Sequence, residues 1–238
     1  MTDTLKKDVI VACDFPDGET LLQFLTHFPQ DTRPYLKVGM ELFYAAGPDV
    51  VRRLCGEGFP VFLDLKLHDI PNTVGSAMKV LAGLGCAMTN VHAAGGRRMM
   101  EAALEGLTRP DGTRPLLIAV TQLTSTSKEM LNGELGIEGE VADTVVRYAQ
   151  NAKEAGLDGV VCSPLETSLL HRTCGADFLT VTPGIRFADA AADDQVRVTM
   201  PARARELGSD YIVVGRPITK AADPYAAYLR CHRDFLGE

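Results

Sequence analysis

The chain has 238 residues, 46% of them hydrophobic, and a formal net charge of −7. An apolar share of that size supports one large core, and an acidic chain without a dense Lys/Arg tract is poorly suited to binding nucleic-acid polymers. No stretch approaches the ~18 consecutive apolar residues of a membrane span. The six cysteines form no C-x-x-C pair and no zinc-type spacing with histidine. Several lie in apolar runs, as Cys13 does in VIVACDF and Cys162 in GVVCSP. They read as free buried thiols of a reducing compartment. The N-terminal stretch MTDTLKKDVIVACDF has only a short apolar run interrupted by Asp14. It reads as a strand and not as a signal peptide, so the expected location is cytoplasmic.

In chain order, eight short runs rich in Val, Ile and Leu are predicted strands: 9–15, 35–40, 61–66, 88–93, 115–121, 159–163, 178–183 and 211–216. Helix-like segments separate them. NTVGSAMKVLAGLG follows the third run. GEVADTVVRYAQNAKEAG precedes the sixth, with Val141, Val145, Tyr148, Ala149 and Ala152 at helical spacing and a stop at Gly156. Strands alternating with helices imply parallel βαβ units. Eight units without a glycine fingerprint after the first strand favour a closed (β/α)8 barrel over an open flavodoxin-like sheet. The expected organisation is one domain spanning 1–238. The segment 184–198 is polar and follows a strand, which makes it a candidate lid.

The third run, VFLDLKLHDIPNTV, carries the most chemistry. Side chains alternate across a strand, so if Leu63, Leu65 and Leu67 face the helices, Phe62, Asp64 and Lys66 face the barrel interior. Interior charges are costly unless paired or useful. One alternative is an ion pair that merely fixes packing. Lys37 on the second strand shares a face with Tyr35 and Gly39, and Asp14 ends the first strand. These charges gather at the C-terminal ends of three successive strands, where barrel enzymes place their sites, and Asp69 follows in the next loop. TPGIR (182–186) and VVGRP (213–217) close strands seven and eight, the usual phosphate site of this architecture. Backbone N–H groups near Gly184 and Gly215, with Arg186 or Arg216, suit an anionic group.

The string Asp64–Thr73, D-x-K-x-x-D-I-P-N-T, resembles the signature of the orotidine 5′-monophosphate decarboxylases. ACDF, LKVGMELF, NVHAAGG, TQLTS, TPGIR and VVGRPI resemble motifs of the same family on strands one, two, four, five, seven and eight. The resemblance implies a (β/α)8 homodimer that converts orotidylate to uridylate and CO2, the last step of UMP synthesis, with no metal or organic cofactor. It implies that Lys66 is the proton donor beside Asp64, in a charged network with Asp69 and Lys37. Asp14 and Lys37 would contact the ribose hydroxyls, and Thr124 the pyrimidine. Arg186, Gln195, Gly215 and Arg216 would gather at the phosphate. Ile70 and Pro183 join the substrate-binding positions. Asp69 and Thr73 would reach the partner subunit's site. His92 and the Gly95–Gly96 pair read as structural. Two alternatives remain. One is an Mg2+-dependent sugar-phosphate enzyme sharing the D-x-K-x-x-D core, which would carry a carboxylate where Lys37 stands. The other is a silent nucleotide-binding barrel, in which Lys66 would have no use.

Overall fold

The computed structural model describes residues 7–187 and 198–238. Eight parallel strands close into a barrel in sequential order. They are β1 (Asp8–Ala12), β2 (Tyr35–Gly39), β3 (Val61–Leu67), β4 (Met88–His92), β5 (Leu116–Val120), β6 (Gly159–Val161), β7 (Leu179–Thr182) and β8 (Tyr211–Val214). Closure is made by β8 on β1, with Asp8 opposite Tyr211 and Val11 opposite Val214. Helices connect successive strands, supplying the crossover that parallel pairing requires.

Alternation along each strand sorts the apolar residues into two cores. Ile10, Tyr35, Phe62, Met88, Ile118, Val181 and Tyr211 point inward and fill the barrel. Val9, Val11, Leu36, Val38, Leu63, Leu117 and Ile212 point outward under the helices. Burying Phe62 alone is worth about 2–3 kcal/mol. The helix Val141–Glu154 shows how the sequence pattern becomes packing. Val145, Ala149 and Ala152 are buried on it, and Val141 and Tyr148 pack at the edge of the same face.

All six cysteines are unpaired, and burial pushes the thiols of Cys13, Cys86 and Cys231 up to about 12. No helix among the described residues is long and apolar enough to cross a membrane.

At the N-terminal end of the barrel, carboxylates at the strand entrances close the loops. Asp158, just before β6, accepts two bonds from Arg114, at 2.5 and 2.8 Å, and one from the Leu117 N–H at 2.7 Å. Asp210, just before β8, accepts from both the N–H and the hydroxyl of Thr180 at 2.8 Å and pairs with His171 at 3.2 Å.

Candidate active site

The C-terminal end of the barrel is built differently. Lys37 rises from the inner face of β2 and reaches Asp14 Oδ1 at 3.0 Å and Asp64 Oδ2 at 3.4 Å. Lys66 Nζ donates to Asp64 Oδ1 at 2.7 Å. Asp64 therefore sits between two ammonium groups, with its side chain only 10% exposed. Burial alone would raise its pKa, but Lys37, Lys66 and the hydrogen bonds from Lys66 and Asn90 hold it below the usual carboxylate range. Burial opposes charge on Lys37 too, and the carboxylates of Asp64 and Asp14 outweigh it, so its pKa stands above the ordinary lysine value. Gly39 keeps room for this array. A Cβ there would lie 2.9 Å from Lys37 Nζ and 3.1 Å from Asp14 Oδ1.

Regular alternation holds through Asp64 and then fails. β3 and β4 pair at Leu63–Thr89 and next at Leu67–Val91, so Asp64, Leu65 and Lys66 together oppose Asn90. Lys66 takes φ +53°, the one left-handed non-glycine residue among those described. Such a conformation costs an ordinary residue about 1–2 kcal/mol. Its N–H leaves the sheet ladder and donates instead to Asn90 Oδ1 at 2.8 Å. Asn90 Nδ2 donates to Asp64 Oδ1 at 2.7 Å.

Lys37, Asp64 and Lys66 line a cavity of about 300 Å³ whose apolar floor is formed by Phe62, Val120, Val161, Val181 and Val213. Gln122, Leu123, Thr124, Ser125, Cys162 and Pro183 complete the wall. The volume lies at the lower end of small-ligand sites, about 300–1,000 Å³. A larger groove, about 680 Å³, lies between the helices Pro71–Leu81 and Arg97–Leu107, away from the charged cluster. Chemistry and not size selects the smaller cavity.

The structure thus brings Lys37, Asp64, Lys66, Thr124 and Pro183 around one space, with Asp14 tied to it through Lys37. Arg186, Gly215 and Arg216 follow β7 and β8 at the same end of the barrel but do not line the cavity. Arg216 borders a separate groove with Phe187, Lys220 and Arg230. The base of the segment after β7 is pinned by two bonds. Thr199 N–H donates to Gly184 O at 2.9 Å and Arg186 N–H to Thr199 O at 3.0 Å. Gly184 has φ +84°, which explains a glycine there. Gln195, and most of the candidate lid 184–198, lie outside the described residues.

Asp69, Ile70 and Thr73 are exposed. Asp69 Oδ1 accepts from the Ile70 N–H at 2.6 Å, and among the described residues of the single chain it makes no ion pair with Lys66. The carboxylate flanking Lys66 within one chain is Asp64, and Lys37 completes the cluster. His92 lies 5.7 Å from His68, ring to ring, and burial with His68 and Lys66 nearby lowers its pKa. Gly95 packs against the Met99 side chain, which a Cβ there would force to move, the distance to its Sδ being 2.1 Å.

Two residues escaped the sequence reading. Gln122 stands inside the TQLTS string just beyond β5 and lines the cavity together with Leu123, Thr124 and Ser125. Asn90 is a fully buried polar residue on a strand, and its partners depend on an irregularity that alternation does not reveal.

The orotidine 5′-phosphate decarboxylase / HUMPS family model matches residues 7–231. The chain belongs to that family. It is 59% identical over 231 residues to the orotidine 5′-phosphate decarboxylase of Bacillus caldolyticus, covering 96% of this chain and 94% of that protein. The crystal structure of orotidine 5′-phosphate decarboxylase from Lactobacillus acidophilus superposes with a TM-score of 0.87 at 46% identity, covering 97% of this chain and 99% of that one. The enzyme of the same name from Pyrococcus horikoshii gives a TM-score of 0.76 at 25% identity, covering 97% and 100%.

Proposed function

We propose that this chain decarboxylates orotidine 5′-monophosphate to uridine 5′-monophosphate and CO2, the last step of de novo UMP synthesis, without metal or organic cofactor. The observation that carries the reading is a buried carboxylate held between two ammonium groups on the wall of a cavity of about 300 Å³. Membership of the family supports it.

Breaking the ring–carboxylate bond leaves the electron pair on the ring carbon, and the leaving group departs as CO2. Charge fixed in advance stabilises that carbanion, because nothing needs to reorganise as it forms. Lys66 then gives its Nζ proton to the ring carbon, forms the new C–H bond and recovers a proton from solvent. Asp64 holds that ammonium in place. Its negative charge also faces the substrate carboxylate, which destabilises the ground state relative to the transition state. Asp14 and Lys37 hold the ribose hydroxyls, Thr124 and Pro183 bound the pyrimidine, and Ile70, exposed beside Asp69, contributes to substrate binding from the same loop. Arg186, Gly215, Arg216 and Gln195 receive the phosphate, whose binding energy supports the chemical step.

The Mg2+-dependent members of the wider group need carboxylates converging on a cation. Here the Lys37 ammonium stands between Asp14 and Asp64, in the space a divalent ion would take. That favours hydroxyl contacts over metal chemistry. We assign Asp69 and Thr73 to the site of a second copy in a homodimer, because both face outward from the single chain. Unpaired thiols suit a cytoplasmic enzyme.

The test is to follow the ultraviolet absorbance of orotidylate with the purified protein and a metal chelator. Conversion to uridylate supports the reading. Tight uridylate binding without conversion would replace it with a silent nucleotide-binding barrel. Neither binding nor conversion, with turnover of a sugar phosphate once Mg2+ is restored, would replace it with a metal-dependent enzyme.

A further inference from the structure

We propose that Asn90 is a positioning residue, whose side-chain amide sets the Asp64–Lys66 pair before substrate arrives. The inference rests on the decarboxylase reading above. Three facts meet at this residue. The bulge in β3 leaves Asp64, Leu65 and Lys66 facing Asn90 alone. Lys66 is held at φ +53°, where its N–H is withdrawn from the ladder. Asn90 is fully buried, and each end of its amide is engaged at 2.7–2.8 Å.

The polarity of these two bonds leaves little choice of side chain. The Lys66 N–H only donates and the ionised Asp64 only accepts, so the clamp must accept on one atom and donate from its neighbour. A carboxamide does this. An alanine does neither, leaving a buried N–H unsatisfied in a backbone already under strain. A carboxylate accepts from Lys66 but opposes Asp64. The amide therefore fixes two things at once: the backbone from which the Lys66 ammonium extends, and the rotation of the carboxylate it meets at 2.7 Å. Freeing either shifts the proton donor relative to the reacting carbon, and a displacement of about 1 Å costs on the order of 10²-fold in rate. The charged and titratable groups at this corner are Asp64 and Lys66 of β3, Lys37 of β2 and His92 of β4. From β5 the residue opposite Asn90 is the apolar Ile118.

The experiment compares wild type, Asn90→Ala and Asn90→Asp for kcat, KM, uridylate binding and thermal melting across pH. We expect Asn90→Ala to lose on the order of 10²-fold in kcat while uridylate affinity stays within a few-fold. Asn90→Asp carries the sharper signature. Its carboxyl shares a site with Asp64, so like-charge repulsion raises the pKa at which the added proton is lost. Protonated, it donates to Asp64 and accepts from Lys66 as the amide does. Ionised, it repels Asp64. Its kcat should therefore rise toward the wild-type value as pH falls, over a range where wild type is flat. That recovery would not come from a merely structural role, and it decides the matter even if Asn90→Ala does not fold. Wild-type kcat in folded Asn90→Ala, or an Asn90→Asp profile parallel to wild type, would overturn the inference. Wild type that releases no CO2 from orotidylate would instead condemn the functional reading beneath it.

Discussion

The two ends of the barrel use the same residue types for different ends. At the N-terminal end, Asp158 and Asp210 accept from backbone N–H groups and from Arg114, Thr180 and His171, so each carboxylate finds its partners within the fold. At the C-terminal end, Asp14, Lys37, Asp64 and Lys66 pair with one another beside an open cavity, and the strand beneath Lys66 is bulged and strained. Charge at the first end closes loops. Charge at the second lines an open cavity, over a left-handed Lys66 whose N–H is bonded by the Asn90 side chain.

After the loss of Lys66 itself, the largest expected effect comes from cutting the charged cluster at Lys37. Lys37→Ala should lower kcat/KM by about 10²–10³-fold, the scale of removing one preorganised electrostatic group. It should also cost roughly 3 kcal/mol of stability, because Asp64 loses one of its two ammonium partners in a buried place. Steady-state kinetics and denaturant melts measure the two losses.

Arg216→Ala should follow, with kcat falling roughly 10- to 100-fold beside weaker uridylate binding. An unchanged kcat would separate phosphate binding from the chemical step.

The lower end should answer in the opposite sense. Asp158→Asn should cost about 2 kcal/mol of stability, visible as a lowered Tm, while kcat and KM stay at wild-type values. A fall in kcat there would blur the division between the ends.

The smallest effect is on pH. The Asp64 pKa is lowered on folding, so its contribution to stability is complete above the unfolded value of about 3.9 and is lost as pH falls through the folded value. Melts taken on descending pH should show a shallower acid loss for Asp64→Asn than for wild type.

Most of this architecture was legible in the sequence because it follows from local pattern. Apolar runs separated by helical periodicity have few ways to bury both faces, and the barrel is one. The inward set of Tyr35, Lys37, Phe62 and Asp64 came from period-two alternation, which holds wherever the strand is regular. Lys66 marks where that logic stops. Its place depends on a register shift against β4, a relation between residues some 25 positions apart that no window of sequence contains. Asn90 was hidden for the same reason, since its importance lies in which backbone group the bulge sets free. Asp69 shows a different limit. Its position in the D-x-K-x-x-D string suggested a neighbour of Lys66 and the family resemblance a role in a partner's site, and in the single chain the loop leaves it exposed, bonded to the Ile70 N–H. The phosphate residues were suggested by their strand ends. The cavity stops short of Arg216, and Gln195 lies outside the described residues.

The most direct test of the division between the ends is single-turnover CO2 release from carboxyl-labelled orotidylate by Lys66→Ala, in the presence of a metal chelator and beside wild type. We expect the variant to fold with a lowered melting temperature, because Asp64 loses its Lys66 partner, and to bind uridylate. Its CO2 release should fall by at least ~10⁴-fold, the upper range for losing a positioned proton donor. Near-normal release from that folded variant would contradict the assignment of the chemistry to the Asp64–Lys66 pair.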